Sequence, residues 1–300
     1  GAMRPPELLT RDVVAKAIMN EVKEGRGSPH GGAFLDIANR QSPEYIKKKL
    51  PSMYHQFKEL GDLDITSEPM EVGPTTHYMM GGIRVDAETG ASSLKGMYAA
   101  GEAAAGLHGA NRLGGNSLSD LLVFGNIAGR SAAISALNSK ERAINKDDLN
   151  TAISETLESF DKDKKENPYH LHEELQDIME NYAGIVRDEK DLTKGIEKLK
   201  ELEKRVENVK ASGTRSYNPS WHLCLDLKNM IITSLAVTEA AKERRESRGG
   251  HTRLDYPNYD DELGMLNIII RKGPDGINVI KSDKKIMPND LDEFVHKEAV

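Results

Sequence analysis

Three stretches between residues 74 and 118 set chemistry-bearing side chains beside glycines. The first, Pro74-Thr-Thr-His-Tyr-Met-Met-Gly-Gly82, places His77 close to two residues without a Cβ, where backbone can approach a ligand. Its alternative is a strand ending in a glycine turn, with the histidine satisfied by hydrogen bonds. The second, Gly96-Met-Tyr-Ala-Ala-Gly-Glu-Ala-Ala104, reads as an apolar strand ending in Gly101-Glu102, and a carboxylate there can accept hydrogen bonds from a polyol. The third, His108-Gly-Ala-Asn-Arg-Leu-Gly-Gly-Asn-Ser-Leu118, runs into a helix. Glycines ahead of a helix leave backbone N–H groups at the positive end of its dipole, which suits an anionic or electron-rich ligand. Arg112 adds a planar donor fork that matches a carboxylate. By spacing alone, the third stretch is equally a glycine-rich helix entry with Arg112 on the surface. Arg11 stands apart from these, in a first helical turn where the helix dipole disfavours a cation.

The elements that must carry these residues follow from periodicity. Thr10 as N-cap and Asp12 in the first turn open a helix with Val13, Val14, Ala17, Ile18 and Val22 on one side, until Gly25 stops it. Ala33 to Ile37 is a strand candidate, and Ser42-Pro43 opens a short helix that Pro51 interrupts. Strands are expected at Met79 to Val85 and Met97 to Ala100, joined through Asp86 to Gly90. A helix runs from Asn116 or Ser117 to about Leu137. Eleven of the 26 glycines lie between Gly73 and Gly125, so this part is dominated by tight turns and close approaches. The next part is different in kind. Leu171, Leu175, Ile178 and Tyr182 keep helical spacing, as do Leu192, Ile196, Leu199, Leu202, Val206 and Val209. A third helix follows Asn218-Pro219, and the three together predict a helical bundle. Past Gly249-Gly250 the chain is loop-rich, with strand candidates at Leu266 to Arg271 and near Ile277 to Lys281.

Taken together, these stretches resemble the flavoprotein subunit of succinate dehydrogenase and fumarate reductase, a family whose relatives include L-aspartate oxidase. His77-Tyr78-x-Met80-Gly81-Gly82, Tyr98-Ala-Ala-Gly-Glu102 and the run from His108 to Leu118 stand in the family's order and spacing. So do Thr10-Arg11-Asp12-Val13-Val14 and Glu246-Ser-Arg-Gly-Gly-His-Thr-Arg253. The resemblance implies an α+β fold in four parts. Residues 1–72 would be the C-terminal part of a capping (substrate) domain, and 73–140 the C-terminal part of an FAD-binding α/β domain. Residues 141–248 would be the three-helix bundle, and 249–300 a loop-rich C-terminal tail domain.

The resemblance also implies a function. FAD would be the cofactor, succinate and fumarate the dicarboxylates interconverted by hydride transfer. Electrons would pass to an iron–sulfur subunit tied to membrane-anchor or quinone-linked subunits, so the chain would be cytoplasmic and membrane-associated through its partners. Residue by residue, the family pattern makes Arg11 the proton shuttle, and His77 and Arg112 the binders of the substrate carboxylates. It makes Glu102 a ligand of the FAD hydroxyls, and Ser117 and Leu118 the backbone N–H pair facing the flavin pyrimidine edge. No metal ligand is implied. The strand–GxGxxG–helix unit that opens the family has no counterpart here, nor has the stretch carrying the covalent flavin histidine. The chain is therefore expected to be the C-terminal portion of a longer polypeptide and inactive alone. The rival readings are L-aspartate oxidase and a non-catalytic half of a split flavoprotein. The run from Tyr217 to Asn229 and the tail from Leu266 favour the succinate dehydrogenase branch.

Composition removes other classes. A net charge of −7 with 30% charged and 38% hydrophobic residues is that of a globular chain, and the absence of any basic block of five argues against nucleic acid. The apolar run from Met230 to Ala241 is too short and too polar to cross a bilayer, so no direct membrane insertion is expected. A single cysteine, Cys224, excludes a disulfide framework, a cysteine-ligated zinc site and an iron–sulfur cluster held by this chain alone. A reducing compartment is the default, and Gly1-Ala2-Met3 reads as a cloning scar rather than the start of a signal peptide. His170, His172 and His222 lack partners at metal-ligand spacing. Arg248, His251 and Arg253 are expected to act structurally, tying the helical region to the flavin domain.

Overall fold

A computed structural model describes residues 9, 11–140, 143–161, 163–274, 276–289 and 291. The fold mixes helices and short two-stranded sheets and divides into two compact units, residues 1–138 and 139–300.

In the first unit, α1 spans Arg11–Lys23, with Asp12 in its first turn, and the chain turns away through Gly25 at φ 77°. Thr10 lies outside the described residues. Strand β1 (Ala33–Leu35) pairs antiparallel with β2 (Met70–Val72), and Gly32 is dictated by this pairing: a Cβ there would lie 2.2 Å from the Val72 carbonyl oxygen. Ser42 Oγ accepts from Tyr45 N–H at 3.3 Å and caps α2 (Pro43–Lys49). Pro51 ends that helix as expected, but it also opens another, α3 (Pro51–Gly61), because proline fits the first helical position. Ile46, Ile65 and Met70 form a small core here, packed by Tyr54, Phe57 and Leu63.

The expected strands around the glycine-rich part are cut short. Only β3 (Ile83–Arg84) forms, and it pairs in parallel with β4 (Ala104–Ala105) instead of with Met97 to Ala100, where Tyr98 makes a single bridge to Ala91. The cause is local turn chemistry. Asp86 Oδ1 accepts from Glu88 N–H, Thr89 N–H and the Thr89 hydroxyl, which closes the turn before a longer ladder can form. The long helix α4 (Asn116–Leu137) follows; only Asp120 and Ala128 in it are buried, while Leu118, Leu121, Leu122 and Val123 are exposed.

In the second unit, α5 (Lys146–Leu157) precedes the bundle of α6 (Pro168–Ala183), α7 (Glu189–Val206) and α8 (Pro219–Glu243). Each bundle helix has a side-chain cap: Asn167 accepts from Tyr169 N–H, Asp188 from Asp191 N–H and Asn218 from Trp221 N–H. Leu171, Leu199, Leu202, Leu227 and Ile231 are at most 1% exposed and form the core, each contributing roughly 1.5–3 kcal/mol by burial. Gly195 allows close approach, since a Cβ there would meet Tyr182 Cβ at 2.8 Å. The one-turn α9 (Asp261–Gly264) leads into a hairpin of β5 (Leu266–Gly273) and β6 (Gly276–Asp283), paired from Leu266↔Asp283 to Gly273↔Gly276.

Beneath the loop after α8 lies a buried ionic cluster, held entirely within residues 139–300. Glu246, fully buried, accepts from Arg244 at 2.6 Å, from Arg248 at 3.0 Å and from Asp260 N–H at 3.0 Å. Burial pushes its carboxyl up, but the hydrogen bonds from Arg248, the Asp260 backbone and Arg244 outweigh it and hold it at about 2. The two-pronged bond from Arg253 likewise holds Asp255 at about 2. His251 donates from Nε2 to the Arg244 carbonyl at 2.9 Å and accepts at Nδ1 from Arg187 at 3.0 Å, so its ring is neutral. Burial pulls it down to about 4, with Arg187, Arg253 and Arg244 adding repulsion.

These shifts set a pH dependence with a definite sign. Below about 6.5 an unfolded His251 takes up a proton that the folded ring refuses until about 4, so stability falls as pH drops through that window. Below about 4.5 the unfolded forms of Glu246 and Asp255 protonate ahead of the folded ones, and a second loss runs down to about 2. The urea midpoint of this chain is expected to decline in both windows. His251→Gln should flatten the upper one only, and an unchanged upper slope would dissociate it from His251.

Candidate functional site

The β3–β4 pairing lays residues 77–84 beside the turn at Gly101–Ala103. Only glycine fits two of the positions that make this possible. A Cβ on Gly82, at φ 154°, would sit 2.5 Å from the Ala103 carbonyl oxygen. One on Gly101, at φ 66°, would strike the Leu121 side chain of α4 at 2.6 Å. Glu102 Oε1 then accepts from Met79 N–H at 2.8 Å, which fixes the carboxylate two residues beyond His77 and leaves its second oxygen for another donor.

Arg112 returns to the same place. Its guanidinium carbon lies 4.6 Å from the centroid of the Tyr78 ring, and Nη1 donates to the Leu113 carbonyl at 3.0 Å. Its Nε–H is buried with no hydrogen-bond partner among the described residues. A buried donor left unsatisfied costs roughly 1–3 kcal/mol, so the position calls for an acceptor. His77 is exposed beside Tyr78. Below this surface Tyr78 Oη donates to Asp120 Oδ2 at 3.1 Å, and His108 Nε2 lies 3.3 Å from the same oxygen and 3.2 Å from the phenol. Burial and the neighbouring Asp120 carboxylate raise the Tyr78 phenol above its ordinary value, which keeps it a donor.

At the start of α4, Gly115 occupies the N-cap position at φ 85° with no capping side chain and no acid in the first turn. The positive helix end is thus unneutralised. Ser117 lies in that first turn, whereas the Leu118 N–H is already turned to the Gly115 carbonyl at 3.2 Å. An uncapped helix end, a glycine-lined turn and a carboxylate with a spare oxygen are a donor and acceptor set that fits part of a flavin dinucleotide.

Of the residues singled out in the sequence, Glu102 and Arg112 are brought to Met79 and Tyr78, and His77 is the exposed residue that precedes them in the same segment. Arg11 is exposed at the first position of α1, and among the described residues no hydrogen bond or ion pair ties it to the others. Sequence reasoning misses Tyr78 and Asp120. A signal for Asp120 exists, since it is the sole charged residue from Asn116 to Gly129. A shallow cavity of about 410 Å³ between α6 and α8, lined by His172, Met179, Asp226 and Met230, has no comparable constellation. Among the described residues no group of three or more His, Cys, Asp or Glu could hold a metal ion.

Comparison with known proteins gives a consistent picture. A family model described as FAD binding domain matches residues 3–118, and one described as fumarate reductase flavoprotein C-term matches residues 172–287. The chain is 41% identical over 266 residues to a fumarate reductase (CoM/CoB) chain of Methanothermobacter marburgensis, covering 89% of this chain and 48% of that one. It is 36% identical over 305 residues to the succinate dehydrogenase flavoprotein subunit of Coxiella burnetii, covering 97% and 51%. Among solved structures, Mycobacterium smegmatis Sdh1 in complex with UQ1 superposes with a TM-score of 0.90 at 47% identity, covering 98% of this chain and 50% of that chain. The chain thus spans about half the length of the relatives it matches.

Proposed function

Because the chain belongs to the flavoprotein-subunit family of succinate dehydrogenase and fumarate reductase, we propose that the whole polypeptide binds FAD and interconverts succinate and fumarate. The observation that carries this reading is Arg112, stacked on Tyr78 beside His77 with a buried Nε–H awaiting an acceptor. A substrate carboxylate is the acceptor that a planar guanidinium fork matches best. His77 supplies a second donor from the neighbouring extended segment. Together they orient the dicarboxylate so that one C–H bond is fixed relative to the cofactor. FAD, when bound, supplies the hydride acceptor or donor.

Glu102 offers its spare carboxylate oxygen to a cofactor hydroxyl. The first turn of α4, with Ser117 and Leu118, presents its positive end to the electron-rich edge of the ring. Arg11 delivers or removes the proton on the carbon opposite the hydride, and it belongs to the site once the rest of the polypeptide closes around substrate. The exposed Leu118, Leu121, Leu122 and Val123 of α4 are the surface on which the other half of such a protein packs.

In this reading electrons leave through a separate iron–sulfur subunit; the one cysteine of these 300 residues cannot ligate a cluster. No helix among the described residues is long and apolar enough to cross a membrane. On this reading, the iron–sulfur partner carries the attachment to quinone-linked or anchor subunits, on the cytoplasmic side. The test is the full-length protein: bound flavin by absorbance, dye-coupled succinate oxidation and fumarate reduction, and a malonate-induced shift of the flavin spectrum. Absence of flavin would overturn the reading. Peroxide formation with L-aspartate, and no turnover with succinate or fumarate, would replace it with an aspartate oxidase.

A further inference from the structure

We propose that Tyr78, His108 and Asp120 are positioning residues that hold Arg112 ready for the substrate carboxylate; the inference rests on the reaction assigned above. A guanidinium at the end of four single bonds must be immobilised before it can orient anything, and Arg112 is held mainly through its face. One Nη1–H bond to the next residue's carbonyl would leave the fork free to swing. The Tyr78 ring, with its centroid 4.6 Å from the guanidinium carbon, provides the platform over which it is held.

That platform is itself pinned at its far end. The phenol meets both Asp120 Oδ2, at 3.1 Å, and His108 Nε2, at 3.2 Å, and the two partners lie 3.3 Å from each other. The side chains of His108 and Asp120 are only 7% and 4% exposed, so water does not compete for these bonds. The His108 ring also packs edge-on against Tyr78, centroids 5.3 Å apart and planes at 80°. Asp120 is anchored by the backbone of α4, one turn beyond its uncapped N-terminus. The same helix therefore sets both the proposed cofactor contact and the plane of the proposed substrate arginine. The negative charge on the phenol's acceptor also makes the ring face a better partner for a cation. Glu102 is a second carboxylate acting on Tyr78, and Arg112 is the cation over its ring.

The role separates from a purely structural one by where the loss falls. In the full-length flavoprotein, Tyr78→Leu removes both platform and pin. It is expected to raise the malonate dissociation constant, read from the flavin spectrum, and KM for succinate by about 10-fold, while kcat and flavin content change less than about 3-fold. Tyr78→Phe keeps the ring but frees its end, and Asp120→Asn weakens the pin; each is expected to raise KM about 3-fold with kcat held. These milder variants keep the test open if Tyr78→Leu fails to fold. Unchanged malonate affinity in all folded variants would overturn the proposal, as would parallel losses of kcat and flavin without a change in KM. A wild-type flavoprotein that gives no malonate shift would overturn the assigned reaction first, and the proposal with it.

Discussion

Replacing Arg11 by lysine in the full-length protein is expected to lower kcat for fumarate reduction by at least about 100-fold while malonate binding stays near normal. General acid catalysis contributes roughly 10²–10⁴-fold, and the substitution takes away the acid's position more than its charge. Lysine keeps a cation but loses the planar fork and shortens the reach to the reacting carbon. The proton then no longer arrives in line with the hydride. The structure supplies a reason to expect function here. Arg11 stands exposed at the first position of α1, where the helix dipole disfavours it, and among the described residues no ion pair ties it to a carboxylate. Arg112→Lys should behave oppositely, weakening malonate binding by about 10-fold or more, because a stacked, two-pronged contact becomes a point charge. Steady-state turnover with a reduced dye, set beside malonate titration of the flavin spectrum, separates the two. A near-normal kcat in the Arg11 variant with collapsed malonate binding would make Arg11 a binding residue, not a proton shuttle.

How much of this is legible in the sequence depends on whether the information is local. The bundle is legible because Leu192, Ile196, Leu199 and Leu202 keep the helical period and all are buried in the bundle. Helix α5 escapes such a reading although Leu149, Ile153 and Leu157 keep helical spacing, because the stripe is short and none of its residues is buried. Strand lengths near the site come out too long, since the Asp86 turn and the parallel partner β4 depend on side-chain hydrogen bonds and on a pairing about 20 residues away. The glycine-flanked motifs mark His77, Glu102 and Arg112 because backbone demands leave a local trace. The links beneath them leave none: Tyr78 reaches His108 and Asp120 across 30 and 42 positions. Glu246 and Arg253 read as loop charges, yet both are fully buried. The bonds they make join the end of α8, the start of α7 and the loop that follows α8, all within residues 139–300.

Arg253→Met is accordingly expected to destabilise the helical unit by about 3 kcal/mol. Every donor group of this fully buried guanidinium is committed. Nε and Nη2 hold Asp255 at 2.8 and 2.7 Å, and Nη2 also reaches Glu189 at 2.9 Å. Nη1 donates to the Ala241 and Lys242 carbonyls at 3.2 and 3.0 Å, the last turn of α8, where a cation meets the negative helix end. Beside it the backbones of Arg187 and Leu254 are joined by a bond that aligns the two loops. Methionine fills similar volume but leaves two carbonyls and two carboxylates without their donor. Removing one partner of a buried ion pair costs about 3–5 kcal/mol. Glu189 and Asp255 are 41% and 30% exposed and can recover some hydration, which places the loss at the lower end. Arg253→Lys should fall between, since one ammonium cannot serve both carboxylates and both carbonyls at once. Urea unfolding followed by helical circular dichroism gives the comparison, with amide exchange at residues 187–189 and 253–255 showing whether the two loops part. A loss below about 1 kcal/mol, with exchange unchanged there, would mean that the bundle core alone holds the helix ends and that the buried cluster is dispensable.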